Sequence, residues 1–392
     1  MRSKRGVLSA EMPIIGLDNF LAVTVFVLGA IVGSFLNVVI YRVPREISVN
    51  SPRRSFCPSC DYRIPFYHNI PLLSWILLRG KCRKCPAVIP FRYWFIEFLT
   101  AVLFLCAWLR FVESPAVVPG VMILIAILIC ATFIDFDFQI IPDCLTKGGI
   151  VVGFLAALAV PSAVVIVMDC EIYSQGGMNP RVMALIWAII GAASGYGLIF
   201  SVVVLGKIAF GRKSLKIPDN GQWRVVEGRE NPVLETGSEK TAFEDLFFVG
   251  SERVEIECEH AEVNGRSFKA ACMTIRHDRL QVDGEEILIS EWKTLSGRAT
   301  SMRYYREAMG FGDVKFMALI GAFLGWKAVL FTIFIASVSG TAVSLPAKIL
   351  RKDSPLTRIP FGPYLALGAI TWIFFGPSLL DWYFGLMRIT GL

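Results

Sequence analysis

Two short runs, far apart in the chain, each set an aspartate at the edge of an apolar stretch. Phe133-Ile134-Asp135-Phe136-Asp137 closes one such stretch, and Gly310-Phe311-Gly312-Asp313-Val314-Lys315 opens another. A carboxylate at the border of the hydrocarbon layer is costly and seldom idle. Two of them brought together share one proton and activate a water, which is the chemistry of an aspartyl protease working at a membrane. Each run also has a plainer reading. Asp135, Asp137 and Asp143 suit helix ends at headgroup level, and Asp313 suits the N-cap of a helix over Val314–Phe323. Gly310 and Gly312 permit a tight turn there and a close backbone approach.

Cysteine spacing gives the second chemical signal. Cys57-Pro-Ser-Cys60 and Cys82-Arg-Lys-Cys85 are two C-x-x-C pairs on one Pro- and Arg-punctuated loop, and each can offer two thiolates to one tetrahedral zinc ion. Four thiolates leave no open coordination position, so such a zinc is structural. The competing readings are two unrelated pairs or a redox disulfide. Cys106, Cys130, Cys144, Cys170, Cys258 and Cys272 read as small core residues. Other hydrolytic schemes lack their parts. His68, His260 and His277 all fall outside the apolar spans, and there is no H-E-x-x-H, so neither a Ser–His or Cys–His pair in a bundle nor a zinc protease is supported. Glu97, near the start of the second span, is expected to pair with Arg92.

These groups need a membrane bundle to position them. The chain is 55% hydrophobic and 18% charged, and several apolar runs reach the roughly 20 residues that span a bilayer. The expected fold is mainly α: a polytopic membrane helix bundle of about eight spans. They are Leu17–Tyr41, Tyr93–Leu109, Val118–Ile141, Leu145–Met168, Val182–Ile208, Phe316–Gly325, Ala328–Ala347 and Phe361–Met387. The sixth is short enough for a half-helix. Residues 1–43 carry the first span, read as retained because no small-residue cleavage site follows it. Residues 44–92 form the four-cysteine loop, 93–211 the second to fifth spans, 212–309 a soluble β-rich insert, and 310–392 the last spans. The 44–92 loop is dense in Lys and Arg and is expected to be cytoplasmic, together with the insert; the basic tip at Arg2, Lys4 and Arg5 argues the other way. The net charge of +7 is explained by such loops beside anionic lipid, with no nucleic-acid partner.

Within the insert, Ser214–Gly250 is polar and without a clear period. Beyond it Val254, Ile256 and Cys258 alternate with charged residues, further short apolar runs follow, and Asn264-Gly265 and Asp283-Gly284 sit where hairpin turns belong. A small antiparallel sheet is expected.

Taken in order, Gly33-Ser-Phe-Leu-Asn37-Val-Val-Ile-Tyr41-Arg42, the paired C-x-x-C loop, Ile134-Asp135 to Pro142-Asp143, Gly312-Asp313-Val-Lys315 and Pro360-Phe-Gly-Pro-Tyr364 resemble the type IV prepilin peptidases, bacterial inner-membrane aspartyl proteases of pilus and type II secretion systems. The resemblance covers nearly all of the chain outside the insert. It implies Asp135 and Asp313 as the catalytic pair, with Gly310, Gly312, Lys315, Asp137 and Asp143 in support. It implies prepilins or pseudopilins as substrates. Members with a four-cysteine loop are typically bifunctional, so the resemblance also implies N-methylation of the new amino terminus with S-adenosylmethionine. No glycine-rich strand–turn–helix signature for a methyl donor stands in the sequence. The insert departs from the family, whose members typically carry a short loop there. Two other classes compete: a transporter using intramembrane carboxylates, and a membrane-anchored zinc-ribbon interaction protein.

Overall fold

The helix Val118–Phe138 is apolar on every side, and its sequence explains both its place and its end. Leu124, Ile125, Leu128 and Ile134 are fully buried, so it runs through the middle of the bundle. It stops because Gln139 takes a left-handed conformation (φ 54°) and caps back onto Asp135 O; Pro142 then starts the next helix at Asp143. The last turn is thus the one that carries Asp135 and Asp137.

In this computed structural model the described residues are 14–51, 56–57, 59–65, 69–168, 179–210, 212–214, 221–227, 232–236, 239–243, 253–269, 272–276, 279–282, 285–288, 295–305, 309–351 and 360–390. The helices are α1 (Ile14–Arg42), α2 (Leu73–Leu77), α3 (Phe91–Arg110), α4 (Val118–Phe138), α5 (Asp143–Ala159), α6 (Pro161–Met168), α7 (Pro180–Phe210), α8 (Phe311–Arg351) and α9 (Gly362–Thr390). Arg2, Lys4, Arg5, His68, Cys170, His277 and the Asp283-Gly284 turn lie outside the described residues.

Six of these helices are long and apolar enough to cross a membrane; α5 and α6, bent by 105° at their junction, form a seventh if taken as one broken span. The segments expected as separate sixth and seventh spans are the two limbs of α8, which meet at a kink. Within it Gly325 is non-helical at φ 79° and ψ 175°, backbone space open to glycine alone.

The chain divides into two compact units. The first comprises residues 1–195, 315–340 and 360–392. In it α1 and α3 pack closely, because a Cβ on Gly29 or Gly33 would stand 2.7 Å from the Cα of Ala101 or Glu97. Asn37 on α1 donates to Tyr93 O at 3.1 Å, which pins the register of the pair. Trp372 of α9, fully buried, donates its indole N–H to Val167 O of α6.

The second unit comprises residues 196–314 and 341–359, and its centre is a ten-stranded antiparallel sheet in the order β4-β3-β2-β10-β5-β7-β8-β9, with β1 on β10 and β6 on β5. The strands are β1 (Arg212–Ser214), β2 (Gln222–Glu227), β3 (Pro232–Thr236), β4 (Glu239–Ala242), β5 (Arg253–Val263), β6 (Arg266–Lys269), β7 (Cys272–Ile275), β8 (Arg279–Val282), β9 (Glu285–Leu288) and β10 (Leu295–Tyr305). The segment Ser214–Gly250, which shows no period in sequence, supplies β2, β3 and β4. Trp223 and Leu234 in it are core residues, so sheet pairing recruits strands too short to show an alternation. The expected alternation of Val254, Ile256 and Cys258 is present, all three being buried. It then slips: the next buried residues are Ala261 and Val263. The cause is a bulge, since Arg298 faces His260 while Ala299 faces Cys258, leaving Glu259 as an extra residue. Asn264 and Gly265, both at positive φ, turn β5 into β6.

The scattered cysteines divide. Cys130 and Cys258 are buried as expected, whereas Cys106, Cys144 and Cys272 are exposed, because they sit on outward faces of their helices and strand.

Candidate active site and metal centre

Asp135 is buried, 5% exposed, in the last turn of α4. Its Oδ2 accepts the backbone N–H of Gly362 at 2.8 Å. Gly362 opens α9, and a Cβ there would stand 2.7 Å from that same oxygen. The Pro360-Phe-Gly-Pro run therefore brings a side-chain-free amide up to the carboxylate. The free N–H groups of a helix's first turn seek acceptors, and here the acceptor is a side-chain oxygen of the same protein.

Two residues on, Asp137 takes a different partner. Arg92 donates from Nη1 to both its oxygens, at 2.7 and 2.6 Å, and from Nη2 to Phe133 O at 3.0 Å. The guanidinium also lies over the Phe133 ring. Arg92 thus braces the end of α4, and the expected Arg92–Glu97 pair is not formed. Glu97 instead accepts the backbone N–H of Leu72 at 2.7 Å. Five residues on from Arg92, about 140° further round α3, it meets the loop before α2, where Leu72 holds a positive φ of 63°.

Asp143 and Lys315 come together. Lys315 Nζ donates to Asp143 Oδ1 at 2.5 Å, and Lys147 takes the other oxygen at 2.7 Å. The ion pair ties the start of α5 to α8, two residues beyond Asp313.

Gly310, Gly312 and Asp313 belong to the second unit. The helix begins at Phe311 rather than after Asp313, so Asp313 lies in the first turn and is half-buried. Its N–H bonds to Gly310 O at 3.2 Å, and Phe311 packs edge-on against Tyr196 and Phe200 of α7. An acid in the first turn is favoured by the helix dipole.

The four loop cysteines converge. Their Sγ atoms all lie within 4.8 Å of one another, with Cys57–Cys85 at 3.8 Å and Cys60–Cys82 at 4.0 Å. A zinc ion with Zn–S bonds of about 2.3 Å has sulfurs about 3.8 Å apart along each tetrahedral edge, whereas a disulfide needs about 2.05 Å. Two small hairpins present the thiols, one closed by the Phe56–Arg63 bridge and one by Lys81–Val88. Amides of the second knuckle point at sulfur: those of Lys84 and Cys85 draw the Cys82 thiol down to about 7. At Cys60 the Tyr62 amide pulls the same way, but loss of hydration and the sulfurs of Cys85, Cys57 and Cys82 outweigh it and push the thiol up to about 12. Several thiolates cannot crowd together without a cation, and a coordinated metal removes that conflict. The residues fit a closed, structural metal site.

Apolar spans, a four-thiolate knuckle and a buried carboxylate at the end of one span define a polytopic membrane protein with a candidate metal centre. The comparisons with known proteins make the class specific. The family model described as "Bacterial Peptidase A24 N-terminal domain" matches residues 27–111, and that described as "Type IV leader peptidase family" matches residues 280–345. A prepilin leader peptidase/N-methyltransferase of Neisseria gonorrhoeae is 34% identical over 54% of this chain and 73% of its own length. One of Aeromonas salmonicida is 27% identical over 92% of each chain. One of Myxococcus xanthus is 46% identical over 36% of this chain and 41% of its own. The chain belongs to the type IV leader peptidase family. No solved structure matches it.

The Gly362 contact is a residue role that the sequence did not assign, although the Pro360–Tyr364 run was visible. A glycine between two prolines next to a helix start was the available signal.

Proposed function

We propose that this chain is a bifunctional prepilin-processing enzyme of the bacterial inner membrane, which cuts the leader from type IV prepilins or type II secretion pseudopilins and N-methylates the exposed amine. The observation that carries the proteolytic half is the buried Asp135 carboxylate seated on the Gly362 amide, in a chain whose relatives are named prepilin leader peptidases.

Asp135 and Asp313 form the catalytic pair in this reading. One, ionised, takes a proton from water; the other, protonated, gives its proton to the peptide oxygen or the leaving amine. The Lys315–Asp143 pair supports this reading, because Lys315 follows Asp313 by two residues and Asp143 follows Asp135 by one loop. The Arg92–Asp137 pair fixes the same turn of α4. A prepilin has a basic leader in the cytosol and an apolar helix in the bilayer, so its scissile bond lies at the cytoplasmic interface, where basic loops place these helix ends.

Cys57, Cys60, Cys82 and Cys85 hold a structural zinc in this proposal. About eight spans, counting α5–α6 as one and dividing α8 at Gly325, keep the four-cysteine loop and the sheet on the cytoplasmic side. S-adenosylmethionine supplies an electrophilic methyl group for the second step. The test is direct: purified protein in detergent, incubated with a prepilin, must release the leader as a gel shift and the mature product must gain one methyl by mass spectrometry.

A further inference from the structure

A cavity of about 400 Å³ opens between α1, α2, α3 and the cysteine knuckles, a size within the roughly 300–1,000 Å³ of sites that enclose small ligands. Its lining is distinctive. Tyr41, Phe56, Tyr62, Trp75, Tyr93 and Trp94 contribute six aromatic side chains. Among the described lining residues Glu97 is the sole carboxylate, and Arg42 and Arg83 are the strong cations. Two lining residues also carry buried polar atoms with no hydrogen-bond partner, Ser74 Oγ and Trp94 Nε1. A folded protein rarely leaves such groups unmet. Glu97 itself is held in place by the Leu72 amide, at the cost of a left-handed backbone at a leucine.

This combination selects a ligand class. Aromatic faces beside one carboxylate attract a soft organic cation. Flat rings stack on the same faces. An amino acid's ammonium and carboxylate match Glu97 on one side and an arginine on the other. A sulfonium methyl donor joined to an adenosine and an amino acid carries all of these features.

We infer that this cavity is the methyl-donor site, binding S-adenosylmethionine with Glu97 beside its cationic end and the tryptophan and tyrosine rings around its sulfonium and adenine. The assignment rests on the methyltransferase reading above and gives it a location. Arg92 adjoins the lining residues Tyr93 and Trp94 and is bonded to the last turn of α4, so one turn of α3 links the cavity wall to the turn that carries Asp135. In the transfer the amine lone pair forms the N–CH₃ bond as the CH₃–S⁺ bond breaks. The electron pair of that bond stays on sulfur, giving a neutral thioether, and the surplus proton on nitrogen leaves to water.

The experiment uses the full chain in detergent, with radiolabelled S-adenosylmethionine in equilibrium dialysis and tryptophan fluorescence as a second readout for Trp75 and Trp94. Wild type binds saturably and quenches. Glu97→Gln keeps the shape and an acceptor for the Leu72 amide but loses the charge, and weakens binding about tenfold or more. Val88→Trp, at an exposed lining position whose backbone bridges to Lys81, narrows the mouth and weakens binding likewise, with elemental analysis checking that the four-thiolate site is as occupied as in wild type. Circular dichroism and gel filtration check that both variants are folded. If wild type binds and methylates while both folded variants bind as tightly as it does, the donor sits elsewhere and the cavity assignment is overturned with the methyltransferase reading intact. If wild type cleaves leader but neither binds donor nor methylates, the methyltransferase reading fails and the assignment with it. A zwitterionic phospholipid that copurifies with wild type, is absent from Val88→Trp and competes with the donor would overturn it in favour of a lipid site.

Discussion

The backbone N–H of Gly362 meets the Asp135 carboxylate at 2.8 Å across 227 residues of sequence, and a Cβ at Gly362 would stand 2.7 Å from the same oxygen. No real Cβ tolerates that distance, so any side chain at 362 must displace either the start of α9 or the carboxylate. Gly362→Ala is therefore expected to lower leader cleavage by about 10²-fold, the usual result of moving a reacting group by about 1 Å, while the protein still inserts. Near-normal cleavage by Gly362→Ala would show that Asp135 does not need this seat.

Replacing either aspartate itself should be more severe. Asn keeps the shape but cannot hold or release the shared proton, so Asp135→Asn and Asp313→Asn should each lower cleavage by about 10²–10⁴-fold with expression unchanged. Asp137→Asn and Asp143→Asn should be milder, since their structural partners are Arg92 and two lysines. Retained activity in either of the first pair would end the two-aspartate mechanism.

The two lysines on Asp143 make an internal control. Lys147 is largely exposed, with 67% of its side chain accessible, against 23% for Lys315. An exposed ion pair contributes about 0–1 kcal/mol, so Lys147→Gln should leave cleavage and thermal stability near wild type. Lys315→Gln removes the tie between α5 and α8 and should lower cleavage several-fold more than Lys147→Gln does. Equal effects would assign the ion pair no part in positioning.

For the metal, protein purified without chelator should contain about one zinc per chain, the stoichiometry of a closed four-thiolate site. Changing Cys57, Cys60, Cys82 or Cys85 to Ser should release it, because three thiolates and a hydroxyl bind far less tightly. Proteolysis should fall only partly. Elemental analysis without zinc, or visible absorption from an iron–sulfur cluster, would reject the assignment.

How much of this was legible in the sequence follows from the range of the signals. Hydropathy shows a span because 20 successive residues share one solvent, so α1, α3, α4 and α7 emerge with ends close to those expected. The C-x-x-C pairs were legible because metal geometry demands two ligands per short turn. Glu97 was misassigned to Arg92 because helix neighbours are the only partners a sequence displays, whereas its actual partner is a backbone amide of a loop. The strands β2 to β4 were missed for a similar reason: four to six residues carry no reliable period, and β2 is placed by β10, at least 70 residues later, with β3 and β4 added in turn on its far side. The cavity under the cysteine loop had no signal at all. Its walls come from four separate segments, α1, α2, α3 and the cysteine knuckles, and the space they enclose belongs to no one of them.

The insert offers the last test. Its sheet has its own core, from Trp223 to Met302, and its two ends meet: Arg212 on β1 pairs with Tyr305 on β10. Directly opposed antiparallel residues have Cα atoms about 4.5–5.5 Å apart, so residues 213–304 can be replaced by a short Gly/Ser linker without stretching the chain on either side. Long surface insertions cost little in chain entropy, and the sheet contributes neither Asp135, Asp313 nor the four cysteines. The shortened protein should insert, keep its zinc and cleave a minimal prepilin within several-fold of wild type. Its activity toward the native substrate in the assembled secretion machine is expected to drop if the sheet serves docking, and to stay level if it is a tolerated insertion. Complete loss of minimal-substrate cleavage in a zinc-bound, inserted variant would mean that the sheet supplies part of the active site.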